Sequence, residues 1–259
     1  MRVLLLGHKG MLGNVIHKYY LQNNIDLVTT EFKWADWDLI RLIKQSNCDF
    51  LINCIGINPQ KNQPWYTLKF INFELPEWLS ENFKGYMLHP TTNGEFKGNS
   101  EFGKLYGKHD YKNADDDYGV SKSLASMVLI RKEKVKQIRT AIFGPELNNK
   151  HYFFEQILNQ ENVWGNTNYY WNGITTLEWA KQSLDIIKHW NSTDKIIQLG
   201  TKPISLYDLV VLINKVFKCH KKVKPIRAEY DNRCIASDYK LPNIKSQLEE
   251  LKIFMFAER

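Results

Sequence analysis

The sequence predicts an α/β fold: a doubly wound parallel sheet with a smaller C-terminal substrate-binding lobe. Three observations lead there. "RVLLLG" (2–7) is a short, continuous apolar run that passes directly into "GHKGMLG" and an amphipathic stretch. Similar apolar runs then alternate with helical patterns as far as residue 145, after which the alternation loosens. Continuous apolar strands joined by helical crossovers belong to parallel sheets covered on both faces and wound right-handed.

In order, strands are expected at 2–7, 25–30 ("IDLVTT"), 49–56 ("DFLINCIG"), 85–91 ("GYMLHPT") and 135–144 ("VKQIRTAIFG"). "GHKGMLGNVIHKYYLQNN" reads as glycines opening a helix. "DLIRLIKQSN" places Leu39, Leu42 and Ile43 on one helical face. A loop holding Pro59 and Pro64 leads to "NFELPEWLSENF", expected to be helical after Pro76. A polar loop spans 93–115, and a long helix carries Tyr118 and Lys122. Beyond it, "HYFFEQILNQ", "TTLEWAKQSLDIIKHW", "SLYDLVVLINKVFK" and "NIKSQLEELKIF" read as helices, and "KIIQLG" and "KVKPIRA" as strands. The expected division is 1–145 for the nucleotide-binding domain and 146–259 mainly for the lobe, interleaved with the first domain's core.

The chain has 259 residues, 43% of them apolar, enough for one sizeable core. Its net charge of +7 invites an anionic partner, but "IRKEKVK" and "CHKKVK" lack the interleaved aromatics of a nucleic-acid module, so no nucleic acid is expected. No run of 18 apolar residues exists, so no membrane span is expected. Cysteines 48, 54, 219 and 234 form no CxxC pair, which implies neither a metal site nor a disulfide framework. A reducing, cytoplasmic setting fits that usage, and the opening apolar run is too short for a signal peptide.

The glycines carry the first functional reading. Gly7, Gly10 and Gly13 follow a buried strand and open a helix, the context in which a backbone turn cradles a pyrophosphate at a helix N-terminus. Gly7, Lys9, Gly10, Met11, Leu12 and Gly13 are therefore expected to hold a dinucleotide on a Rossmann-type domain. The second strand ends at Thr29 and Thr30, with Glu31 just beyond. Lys9 and Lys33 can meet a 2′-phosphate, so NADPH is the expected cofactor and NADH the alternative. Tyr118 lies four residues before Lys122, which puts phenol and ammonium on one helical face. A neighbouring cation can tune a phenol for proton transfer.

Taken together, these pieces resemble the extended short-chain dehydrogenase/reductases, and within them the dTDP-4-dehydrorhamnose reductase group of sugar-nucleotide reductases. The resemblance rests on Gly7, Gly10 and Gly13, on "LINCIG" (51–56), on "PTTNGEFKG" (90–98) and on "YGVSK" (118–122). Weaker echoes are "INFELP", "WNGITTLEWAK" and the tail "RCIASDYKLPNIKSQLEELK", so it covers nearly the whole chain. It implies that Tyr118 gives a proton to a substrate oxygen, that Lys122 bonds the nicotinamide ribose and lowers the Tyr118 pKa, and that Thr92 bonds the same oxygen. It implies that Cys54, Ile55 and Gly56 lie along the cofactor. Asn93, Gly94, Trp171 and Asn172 are the further expected substrate contacts; for Trp171 and Asn172 the competing reading is a turn before a helix capped by Thr175 or Thr176. Arg139 and His8 are expected to be structural.

The chain also departs from the family pattern. Asn93 and Gly94 replace the acid pair that sugar-nucleotide 4,6-dehydratases need, and Gly94 is not the cysteine of epimerising relatives. With Glu95 in an aliphatic place, these changes are expected to widen or repolarise the pocket. The implied activity is reduction of the C4 keto group of a dTDP- or UDP-linked 4-keto-6-deoxy sugar, of rhamnose or N-acetylrhamnosamine type, for glycan assembly. Two alternatives stand beside it: a non-catalytic NADP-binding regulatory subunit and a sugar-nucleotide epimerase of the same fold. Family members can dimerise, some through a metal. A homodimer is one assembly open to this chain, and no carboxylate ligands for such a metal are identifiable.

Overall fold

The opening apolar run becomes β1 (Arg2–Leu6), with Val3 to Leu6 fully buried. There follow α1 (Met11–Gln22), β2 (Asp26–Thr29), α2 (Trp37–Gln45), β3 (Phe50–Asn53), α3 (Trp65–Lys69), α4 (Leu75–Asn82), β4 (Tyr86–Thr91), α5 (Asp117–Leu129) and β5 (Val135–Arg139). The second half adds β6 (Ile142–Phe143), α6 (Phe153–Asn159), β7 (Val163–Asn166), β8 (Tyr169–Trp171), β9 (Ile174–Thr175), α7 (Thr176–Lys188), β10 (Ile196–Gln198), β11 (Ile204–Ser205), α8 (Leu206–Phe217), β12 (Val223–Ile226), β13 (Asp231–Asn232) and α9 (Ile244–Phe256). The computed structural model describes residues 1–58, 63–101, 103–147 and 152–257. Pro59, expected in a loop, and His151, at the head of an expected helix, lie outside the described residues.

A six-stranded sheet runs in the order β10-β5-β4-β3-β1-β2, and every pairing in it is parallel. Alternate residues of each strand face opposite layers. Val3, Leu5, Ile52 and Leu88 face one core, which takes in Val15, Ile16 and Tyr20 of α1 and Ala180 and Leu184 of α7. Leu4, Leu6, Leu51 and Met87 face the other, against Leu39 and Ile43 of α2, Leu75 and Leu79 of α4 and Leu129 of α5. In the first layer α1 and α7 are tied by Tyr20 Oη and Ser183 Oγ at 2.9 Å. α7 is thus laid against the main sheet, to which β10 adds an edge strand. The smaller lobe is built around β8, between β11 and β13, and around the β7–β12 pair.

One expectation is corrected here. Helix begins at Trp65 rather than after Pro76, and reaches Asn82 through a π turn at Phe70–Glu74. Leu75 N–H donates to the Phe70 carbonyl five residues back, and this widened turn admits Pro76 where a regular turn would clash with its ring. No described helix is long and apolar enough to cross a membrane.

Candidate active site

Strand order reverses between β1 and β3, and crevices form at the carboxyl ends of strands at such a point. Here a cleft of about 710 Å³ opens, within the range of small-molecule sites. One end is the glycine turn. Gly7 has φ +73°, and a Cβ on it would stand 2.8 Å from the Cys54 carbonyl carbon. A Cβ on Gly13 would collide with the Gly7 carbonyl oxygen. Gly10 N–H donates to that same oxygen at 2.9 Å and closes the turn. α1 then starts with no side-chain cap and no acidic residue in its first turn. Its N-terminal N–H groups are left to an anion, so this cradle fits a dinucleotide pyrophosphate.

Lys9, Gly10, Met11 and Leu12 line the cleft, as do Cys54, Ile55 and Gly56 at the exit of β3. Gly7 and Gly13 shape the turn from behind. Lys33 is exposed and does not line the cleft; its backbone N–H caps against Asp36 at 2.9 Å. The β3 exit is held by Asn72 in the π turn, which accepts from Ile57 N at 2.9 Å and donates to Ile57 O at 3.0 Å. Asn72 also donates to Ser121 Oγ on α5 at 3.2 Å, which connects the β3 exit to the helix of Tyr118 and Lys122.

Thr92, Tyr118 and Lys122 converge on the middle of the cleft. Asp116 caps α5 by accepting from Gly119 N at 2.7 Å, which fixes the first turn where Tyr118 stands. Thr92 Oγ1 accepts from Gly94 N at 3.0 Å and caps a 3₁₀ turn. This cap uses a lone pair and leaves the hydroxyl proton to donate. Burial pushes the Tyr118 phenol up to about 12; the Thr92 side chain pulls it down, Asp116 and Glu95 raise it, and Arg233 lowers it. Lys122 follows one turn later on α5. Its Nζ donates to the Pro90 carbonyl at 3.0 Å, and burial drives the ammonium down to about 8 against the attraction of Glu95 and Cys54. The expected lowering of the phenol by Lys122 is thus outweighed by burial in the free chain.

Asn93 and Gly94 both line the cleft. A Cβ on Gly94 would stand 3.2 Å from Tyr118 Cε1 and 3.3 Å from Thr92 Oγ1, so this glycine lets phenol and hydroxyl approach. Glu95 does not line the pocket, although its charge acts on Tyr118 and Lys122. It turns inward, fully buried, and pairs with the equally buried Arg139 at 2.9 Å. Its other oxygen accepts from the Thr91 hydroxyl.

The far wall comes from the smaller lobe. Trp171 lines it, packed on Phe143 with ring centroids 5.3 Å apart. Asn172 does not line it. Its amide donates to Ile235 O at 2.8 Å and Thr201 O at 3.2 Å and accepts from Ile235 N at 3.1 Å, so it ties the C-terminal tail to the lobe. The tail brings a group that the sequence left unassigned. Arg233 lines the cleft, with Nε 3.1 Å from Asp231 and Nη1 3.4 Å from Asp116. Asn93 donates to its carbonyl at 3.1 Å. Tyr169, raised by burial to about 12, lines the same wall. The tail's resemblance to sugar-nucleotide reductases was the one signal pointing to Arg233; nothing in the sequence singled out Asp231.

The whole chain is similar to several solved structures. It superposes on a dTDP-4-dehydrorhamnose reductase from Clostridium acetobutylicum with a TM-score of 0.83 at 19% identity, over 98% of this chain and 99% of that one. A dTDP-4-dehydrorhamnose reductase from Bacillus anthracis, in complex with NADP, gives 0.85 at 15% identity over 97% and 98%. A UDP-N-acetylglucosamine 4-epimerase from Methanobrevibacter ruminantium, in complex with UDP-N-acetylmuramic acid, gives 0.76 at 14% identity over 100% and 99%. No family model and no curated protein matches the sequence. At these identities the likeness establishes a shared fold, the Rossmann-type architecture expected from the sequence.

Proposed function

We propose that this chain reduces the C4 keto group of a nucleotide-linked 4-keto-6-deoxy sugar, dTDP- or UDP-linked, with NADPH, and so serves the making of an activated deoxysugar. The observation that carries the reading is the convergence of Thr92, Tyr118 and Lys122 on one cleft that begins at the glycine turn. The reductase neighbours, one of them bound to NADP, support it. When bound, the nicotinamide supplies hydride to the carbonyl carbon. The chain's residues handle the oxygen. Thr92, its lone pair engaged by Gly94 N–H, donates a hydrogen bond to the keto oxygen and polarises it. Tyr118, protonated throughout the physiological range, delivers the proton that makes the hydroxyl. Lys122 adds positive charge beside the developing alkoxide and a donor for a ribose hydroxyl. Asn93 and Gly94 offer no acid–base pair for dehydration. Arg233 stands where it can meet a diphosphate once Asp116 and Asp231 yield it. Trp171 offers an aromatic face to the sugar or base.

The test is NADPH oxidation in the presence of enzymatically prepared dTDP- and UDP-linked 4-keto-6-deoxy sugars, one of them N-acetylated. Wild type should turn over one of them, and Tyr118→Phe should be slower by about 10³-fold. NADPH binding without reduction of any keto sugar would sink the reading and favour a regulatory subunit.

A further inference from the structure

The chain's positive charge is gathered in one place. Residues 215–227 hold six Lys and Arg and no acid, against a net charge of +7 for the whole chain. They form the end of α8, a turn and β12. The turn is firmly built. Lys218 and His220 take left-handed backbone, at φ 55° and 56°. The Asn214 side chain donates to Lys221 O at 2.9 Å and accepts from Lys221 N at 3.1 Å, and Lys221 Nζ reaches back to Leu158 O at 2.7 Å. Lys215, Lys218, Lys222, Lys224 and Arg227 stand exposed on this base. Among the described residues, none of these five side chains has a hydrogen-bond or ion-pair partner. β12 pairs in parallel with β7, Lys224 opposite Trp164 and Ile226 opposite Asn166. Alternate residues of a strand share a face, so Lys224 and Ile226 look outward with Trp164. Trp164 is 48% exposed and Ile226 46%. The inner face is closed: Val163 is buried, and a Cβ on Gly165 would stand 2.4 Å from Tyr207 Cα of α8.

We propose that the outer face of the β7–β12 ribbon, with the turn before it, docks on an anionic lipid surface. The unpaired cations meet the headgroups. Trp164 and Ile226 enter the interfacial layer, where an amphipathic ring such as tryptophan is favoured. A peptide strand does not suit this place. Ile226 turns its carbonyl toward Thr167 N, so Pro225 faces the outer edge of β12, which is unpaired among the described residues, and has no N–H to offer there. A single strand of nucleic acid calls for several stacking rings, and this face presents one tryptophan. The contact is peripheral and needs no spanning segment. None of these residues lines the dinucleotide cleft, so the inference stands apart from the reading of that site.

Cosedimentation of the full chain with vesicles tests it, using pure phosphatidylcholine beside phosphatidylcholine with about one-third phosphatidylglycerol. Wild type should bind the anionic vesicles and not the neutral ones, and high salt should release it. A variant carrying Lys218→Gln, Lys222→Gln and Lys224→Gln should partition about a hundredfold more weakly, at about fivefold per neutralised charge. Trp164→Ser should weaken partitioning by about fivefold through its lost apolar area. All four positions are exposed, and circular dichroism checks that each variant keeps the fold. Wild type that ignores anionic vesicles overturns the proposal, as does binding that survives in the triple variant. Binding to polyglutamate or polyuridylate without binding to vesicles overturns it too, and gives the face to an acidic peptide or a nucleic acid.

Discussion

Replacing Glu95 by alanine probes the feature that sets this chain apart from an aliphatic at the same place. Glu95 and Arg139 are both fully buried, and they meet at 2.9 Å. Without the carboxylate, Arg139 keeps Gln198 Oε1 at 2.8 Å and Lys108 O at 3.1 Å but loses its nearest counter-charge. The Thr91 hydroxyl loses its acceptor at the same time. A buried charge stripped of its partner costs about 3–5 kcal/mol, and the orphaned hydroxyl adds about 1 kcal/mol. At roughly 2–4 °C per kcal/mol for a chain of this size, the melting temperature should fall by about 10 °C or more. Thermal and urea unfolding followed by circular dichroism would measure it. Replacing both partners, Glu95→Val with Arg139→Met, should recover most of the loss, because an apolar pair needs no desolvated charges. A Glu95→Ala protein within about 1 kcal/mol of wild type would refute the reasoning, as would a double variant no better than the single one.

Two further outcomes concern the chemistry. Lys122 has its pKa lowered from 10.5 to about 8, so its charge is present below that pH and lost above it, whereas Tyr118 stays protonated up to about 12. The kcat/KM for reduction, which reports the free enzyme, should therefore fall as pH rises through about 8, and Lys122→Arg should move that limb upward; an unmoved limb would assign the titration to another group. Gly94→Ala puts a methyl 3.2 Å from Tyr118 Cε1 and 3.3 Å from Thr92 Oγ1. It should slow turnover by about tenfold with the circular dichroism spectrum unchanged, and full activity would show that the phenol and hydroxyl have room to spare.

The sequence by itself determined the local things. A continuous apolar run such as Val3–Leu6 has no stable place except a strand buried on both faces, so the alternation of strands and helices was legible. Gly7 and Gly13 announced a turn where no side chain fits, and the spacing of Tyr118 and Lys122 announced a shared helical face. What depended on contacts between distant segments was decided only by the tertiary structure. Arg233 reaches Asp116 across 117 residues of chain, and no periodicity encodes that return. The resemblance made Asn172 a candidate substrate contact beside the reading of a turn before a helix; its partners are Thr201 and Ile235. Glu95 looked like a change in the pocket, and only the strand pairing that brings Arg139 beside it shows that it points into the core. The proton affinities of Tyr118 and Lys122 followed the same rule: their spacing is written along one helix, but burial, which moves both most, belongs to the packed molecule.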